Sequence, residues 1–313
     1  LTICIFFVSS CSSVEVTTND VKNEKESPLE ADENQKFLDF LEADWEKTLS
    51  NNPLFATYTG DKRFNDKINP NTIDQFEKDR LSDFESLEKL NSIDYDKLNP
   101  DNKLNYNLKK FDIESDLNLS QFPIYYLRLN QRGGIQSFYE TGNRLVYQSK
   151  EDYYDWLNRL NQFSENILNF LEINKQGLQN GYTQPKLVTQ GVISQIDAII
   201  NSDINSNPYL KVFIDADETL LSQNEKLELI NDAKELIINK INPAYIKLNN
   251  FLKNDYLVNS RDTIGIKDIP EGKKYYEQLA KHYTTTDLTP DEIHEIGLRA
   301  VSYTHLRAHE TVV

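Results

Sequence analysis

The chain has 313 residues, of which 38% are hydrophobic and 27% charged, with 17 Tyr and 15 Phe. That mixture can bury a core and excludes global disorder. A formal net charge of −16 repels phosphate backbones, which argues against nucleic acid as a partner and disfavours adsorption to anionic lipid.

Gly and Pro number only 10 each, too few for a turn-rich β-fold, so long helices are expected. There is no Met, and the expectation is a chain that is processed or lacks its true N-terminus. Residues 1–10, LTICIFFVSS, form an apolar run ending in small residues. It is shorter than the roughly 20 residues a bilayer span requires and reads as the h-region of a signal peptide. Val8-Ser9-Ser10-Cys11 resembles a bacterial lipobox, with Cys11 as the lipid-attachment residue. Acyl chains on Cys11 would anchor the protein to a membrane without spanning it. With Cys4 removed and Cys11 lipidated, no thiol remains for a disulfide or a metal. Residues 11–34 are polar and charged and read as a disordered tether.

From residue 35 the pattern turns helical. Phe37, Leu38, Leu41, Trp45 and Leu49 share one helical face, and Asn52-Pro53 ends that segment. A loop follows with Gly60-Asp61 and Asn69-Pro70. Ile73, Phe76, Phe84, Leu87 and Leu90 mark a second helix. Leu104, Leu108 and Phe111 mark a third, begun at Asn99-Pro100. Ile124 to Leu129 reads as a short strand or extended stretch, and Gly133-Gly134 as a bend that side chains would obstruct. Ser149 with Asp152 makes a capping box ahead of a strongly apolar helix through Tyr153, Trp156, Leu160, Phe163, Ile167 and Phe170. Pro185 opens another helix. Ser222 with Glu225 starts a long one in which Pro243 should produce a kink. Thr289-Pro290 begins the last. Neither a 20–50-residue repeat nor βαβ alternation appears. The expected fold is mostly α: an irregular multi-helix array with little strand, over residues 35–301.

Four motifs carry candidate chemistry. Val212–Leu220, VFIDADETL, looks like the first motif of haloacid-dehalogenase phosphatases, with Asp215 as nucleophile and Asp217 as general acid. The following sequence, one long amphipathic helix, does not supply the alternating strands such a fold needs. His294-Glu295 begins like H-E-x-x-H, in which two His one turn apart bind zinc and the Glu activates water, but Leu298 stands where the second His is required. His305 and His309 have the spacing of a ligand pair, followed by Glu310. They sit in residues 302–313, SYTHLRAHETVV, which resemble a translated sequencing-adapter tail and fit no continuation of the helix through Ile293 and Ile296. His282 has no spaced partner and reads as a surface or packing residue.

Taken in order, several segments resemble the bacterial family known as domain of unknown function 885. They are Asn52-Pro53, Ala56-Thr57, Gly60-Asp61, Arg63 and Asn65-Asp66; Leu129-Asn130 with Gly133-Gly134; Tyr153 to Phe163; Gly177, Gly181 and Pro185; Pro243-Ala244-Tyr245; and Arg261, Gly265, Ile269-Pro270, Gly272 and Thr285 to Gly297. The resemblance implies a largely helical, often exported or lipidated protein of zinc-metallopeptidase type. Its metal helix would lie beyond the region represented here. No catalytic or metal residue can be carried onto this chain, and zinc is expected only in a full-length parent. The expectation is therefore an N-terminal, inactive portion of a lipid-anchored hydrolase with a peptide substrate, leaving exposed the apolar surface meant for the rest. The alternatives are a non-enzymatic helical lipoprotein that binds sugars or peptides, and the phosphatase.

Overall fold

The structure is a computed structural model that describes residues 28–310, with side chains from 32 to 304. The signal-like segment 1–10, Cys11 and residues 311–313 lie outside the described residues. Among the described residues twelve α-helices follow one another: α1 (Pro28–Asn51), α2 (Pro53–Thr59), α3 (Ile73–Asn91), α4 (Pro100–Ser120), α5 (Tyr139–Arg144), α6 (Lys150–Gln179), α7 (Lys186–Ile200), α8 (Lys211–Ile214), α9 (Gln223–Leu236), α10 (Asn242–Phe251), α11 (Gly272–Thr284) and α12 (Pro290–Glu310). Among the described residues there is no strand. The one β-type pairing is an isolated bridge between Pro185 and Arg261. The mostly α expectation is met, and none of these helices is long and apolar enough to cross a membrane.

Local chemistry explains most helix starts. Thr72, Asn99, Ser222 and Thr289 each accept the amide three residues on, satisfying donors that a helix start leaves unpaired. Before α6, Asp152 accepts the amides of Gln148 and Ser149 at 2.7 and 3.0 Å. Other boundaries differ from the sequence reading. α1 begins at Pro28, within the stretch read as tether up to residue 34, because Asn34 is buried and accepts the Asn99 amide and the Asn102 amide group. The loop expected after Pro53 opens instead with α2, closed by Gly60 in the left-handed region at φ 92°. Ile124–Leu127 is a 3₁₀ turn, not a strand. Between α9 and α10, Ile237–Ile241 is a π-helical turn. It falls directly before Pro243, whose ring and missing N–H disturb the preceding turn. Finally, α12 runs on to Glu310, so the backbone through residues 302–310 continues the helix that the sequence reading ended near 301.

Three apolar clusters hold the array. The largest joins α6, α7, α9 and α10 through residues such as Trp156, Phe163, Ile196, Ala233, Ile241 and Leu248. A second packs α1, α3 and α4 through Phe37, Leu90, Tyr106 and Ile113. A third sits under the 3₁₀ turn, with Tyr126, Leu127, Ile173, Tyr182 and Ile269. The third helix was expected from Leu104, Leu108 and Phe111, yet these lie on its exposed side, at 60%, 59% and 41%. Among its described side chains, α12 is largely exposed, with Ile296, Leu298 and Val301 all open to solvent.

One side of α6 packs, and the adjoining side binds backbone. At about 100° per residue, Asp152, Arg159, Gln162 and Asn166 fall within a sector of about 80°, next to the apolar stripe. Asp152 takes Lys62 at 2.9 Å. Arg159, 1% exposed, donates to the carbonyls of Lys67, Pro53 and Phe64 and to Thr57 Oγ1 at 2.7 Å. Gln162 accepts the Ile68 amide and donates to the Asp66 carbonyl. Asn166 accepts the Asn71 amide and donates to the Asn69 carbonyl, both at 2.8 Å. The non-regular chain between α2 and α3 thus receives from α6 the partners it cannot make for itself. Burial lowers the Arg159 pKa, opposed chiefly by Asp155; with no carboxylate bonded directly, carbonyl dipoles solvate the cation. Removing it strands several buried acceptors at about 1–3 kcal/mol each. Arg159→Met is therefore expected to lower the free energy of unfolding by about 2–4 kcal/mol in urea titrations followed by circular dichroism.

Candidate functional site

The segment clamped by α6 forms one wall of a cavity of about 1000 Å³, a size that accommodates a small molecule or short peptide. Asn52 to Tyr58 and Ile68 to Asp79 contribute this wall. Residues Leu127 to Arg144 form the facing wall, and Phe163, Asn166 and Phe170 of α6 the floor. Phe55, Tyr58, Phe76 and Phe138 supply apolar surface, while Asn71, Asn130, Asn166, Arg128, Arg132 and Arg144 supply polar groups.

The facing wall is irregular backbone held by buried side chains. Gln136, 1% exposed, donates to the Asn130 carbonyl and to Gln195, and Gln195 donates to the Gln131 carbonyl. Tyr245 donates to the Ile135 carbonyl at 2.9 Å, backed by Tyr209 at 2.6 Å. Burial pushes both tyrosine hydroxyls far above their usual range, so they act as neutral hydrogen-bonding groups. The two glycines of this wall differ. A side chain at Gly133 would meet nothing within 4 Å, whereas one at Gly134 would collide with the Asn130 carbonyl and Gln136. The obstruction expected at Gly133-Gly134 thus belongs to Gly134 alone.

Arg144 pairs with Glu140. Arg128 donates to Asn71 Oδ1 at 2.8 Å and stacks over Phe76 at 5.2 Å. The residue is exposed toward the cavity, but burial lowers the pKa of its guanidinium. Arg128 and Arg132 carried no motif in the sequence, whereas the clamp residue Arg159 falls within the family-like segment Tyr153 to Phe163. The available signal was two arginines just before a Gly-Gly bend in an acidic chain. Three separate pieces of the family-like pattern, Asn52-Pro53, Asn130 with Gly133-Gly134, and Phe163, do converge on this cavity.

The motif residues singled out from sequence are not gathered there. Asp215 ends the four-residue α8 rather than a strand, is exposed, and pairs with Lys211. Asp217 closes a turn on Thr219, accepting its amide and hydroxyl at 2.8 Å. Both carboxylates are engaged locally and no sheet positions them, so the phosphatase reading is withdrawn. His294, Glu295 and Leu298 are exposed on α12. The side chains of His305, His309 and Glu310 lie outside the described residues. His282 Nδ1 meets Ser115 Oγ at 2.6 Å, linking α11 to α4. Among the described residues no three His, Cys, Asp or Glu side chains come together as a metal site would need. The described residues offer no donor set that fits zinc.

A smaller cavity of about 280 Å³ lies between α1, α3 and α4 and gathers Asp44, Asp79, Asp83, Asp112 and Asp116 with Lys47 and Lys109. Burial, then repulsion from Asp116, pushes the Asp83 carboxyl up to about 6. A carboxylate whose folded pKa is raised contributes most stability when protonated, and that contribution is lost as pH rises through about 6. Asp83→Asn is therefore expected to raise the melting temperature at pH 7.5, with the difference from wild type closing at pH 4. Calorimetry at both pH values checks this; an equal or opposite shift at pH 7.5 would contradict it.

Residues 53–312 match the sequence model of the family "Bacterial protein of unknown function (DUF885)". Among solved structures, "The crystal structure of the putative lipoprotein from Colwellia psychrerythraea" superposes with a TM-score of 0.72 at 18% identity, over 88% of this chain and 49% of that one. At that identity the likeness shows the fold, and this chain spans about half the length of that relative. No curated protein matches the chain. With that match running over most of its length, the chain belongs to the bacterial DUF885 family.

Proposed function

We propose that this chain is the substrate-binding, non-catalytic N-terminal portion of an exported, lipid-anchored hydrolase of zinc-peptidase type. The observation that carries this reading is the cavity: it joins signature residues from distant segments, and polar groups there stand beside aromatic surface without any metal-ligand cluster among the described residues. Such a lining suits binding and orientation rather than bond breaking. Two further facts support it. The chain covers about half of a solved relative, and α12 presents Ile296, Leu298 and Val301 to solvent, a face that a following half of the protein would cover. Cys11, with the lipobox-like Val8-Ser9-Ser10, supplies the anchor, and the periplasm or cell exterior is then the place of action.

Re-sequencing the source locus across the codons for Arg299 to Val313 and beyond tests the proposal, together with zinc analysis and peptide hydrolysis by both products. The expected result is a frame running on to an H-E-x-x-H helix, a long product that holds zinc and cleaves peptides, and a short chain that does neither. A frame that stops after Val313 would overturn the hydrolase reading. It would favour a helical lipoprotein that binds sugars or peptides without turnover, a role the cavity also fits.

A further inference from the structure

We propose that the cavity recognises one carboxylate of a peptide through the guanidinium groups of Arg128 and Arg132. The inference rests on reading the cavity as a substrate site and adds the chemistry it selects.

The argument begins with charge. In a chain of net charge −16, a cation is expected to find an acid, and three of the arginines do. Arg63 pairs with Asp61 and Glu46, Arg80 with Glu77, and Arg144 with Glu140. Arg159 and Arg261 are instead surrounded by carbonyls. Arg128 and Arg132 line the cavity, and among the described residues neither pairs with a carboxylate. Arg128 is also oriented in advance. Phe76 lies under its plane and itself stacks on Tyr125 at 5.2 Å, while Asn71 fixes one Nη1. Asn71 is in turn fixed through its amide by Asn166 of α6. The rest of the planar fork remains for a ligand, and its shape matches two carboxylate oxygens.

The acids in the same lining limit the ligand's charge. Glu140 is matched by Arg144, and Asp79, which accepts from Gln75, is the other acid of the lining. Three arginines against two acids leave one positive charge. That balance suits a single carboxylate better than a doubly charged phosphate. Phe55, Tyr58 and Phe138 provide apolar surface for the side chain next to the carboxylate. A free peptide C-terminus and an acidic side chain share this chemistry.

Calorimetric titration of the full chain with three probes tests the proposal. They are a pool of Ala-Ala-X tripeptides with free C-termini, the same pool amidated, and inorganic phosphate; X = Asp or Glu in the amidated pool separates side-chain from terminal carboxylates. The free-acid pool is expected to bind about tenfold or more tightly than the amidated apolar peptides. Arg128→Gln and Arg132→Gln should each remove that preference, and Arg128→Lys should restore only part of it. Melting temperatures of the variants verify folding, and Arg132, on the open bend, gives a second test should Arg128→Gln unfold. Equal affinity for free and amidated pools, in wild type or with both arginines intact and folded, would overturn the carboxylate assignment while leaving a peptide site. Tighter binding of phosphate would overturn it in favour of a phosphorylated ligand. Absence of binding by every peptide would overturn both this inference and the substrate-site reading.

Discussion

The polar stripe of α6 is the constraint on which the site depends. Arg159 is a fully buried cation without a bonded carboxylate, and its charge is tolerated because carbonyls of Pro53, Phe64 and Lys67 point at it. Those carbonyls belong to a stretch with little regular structure, which would otherwise carry unsatisfied backbone into the interior. Cation and loop therefore need each other. Gln162 and Asn166 extend the arrangement along the helix, each giving and taking a hydrogen bond with residues 66–71. At its start, burial pushes the Asp152 carboxyl up, but Lys62 and the amides of Gln148 and Ser149 outweigh that and hold it below its usual value. The same carboxylate thus caps α6 and ties down the loop.

The cavity follows from this clamp. A loop fixed by α6 stands on one side, and a loop fixed by Gln136, Gln195 and Tyr245 on the other. Both walls are irregular backbone supported by helices behind them, the arrangement by which rigid scaffolds commonly present binding groups. Asn166 joins support and site directly: it holds the Asn71 amide, while the Asn71 side chain holds Arg128. The acidic surface elsewhere sharpens the contrast, because the two arginines without acid partners face the same space.

Much of the fold was legible in the sequence because helix starts are written locally. Asn99, Ser149, Ser222 and Thr289 announce themselves by capping chemistry within three residues. What escaped depends on distant partners. The start of α1 at Pro28 rests on Asn34 meeting Asn99 and Asn102. The exposed side of α4 misled because Leu104, Leu108 and Phe111 are apolar but face solvent, while Asn102, Tyr106 and Ile113 turn inward. Ile124–Leu127 was ambiguous because a short apolar run carries no period, and packing over Ile173 and Tyr182 made it a 3₁₀ turn. The family-like pattern pointed to Asn52-Pro53 and Gly133-Gly134 without showing that they meet across one cavity. The sequence reading assigned no role to Arg159, Gln162 and Asn166, and only their partners, far away in the chain, reveal the clamp.

The most direct test of the clamp is native-state hydrogen exchange at the amides of Ile68 and Asn71, which donate to Gln162 and Asn166. The measurement would compare wild type with Asn166→Leu. If α6 holds the loop as one unit, protection should fall at both amides together, including Ile68, whose own partner Gln162 is untouched, while the amides of α9 and α10 keep theirs. Loss confined to Asn71, or protection unchanged at both, would mean that the loop holds its shape without the stripe, and the account of how the cavity is built would be wrong.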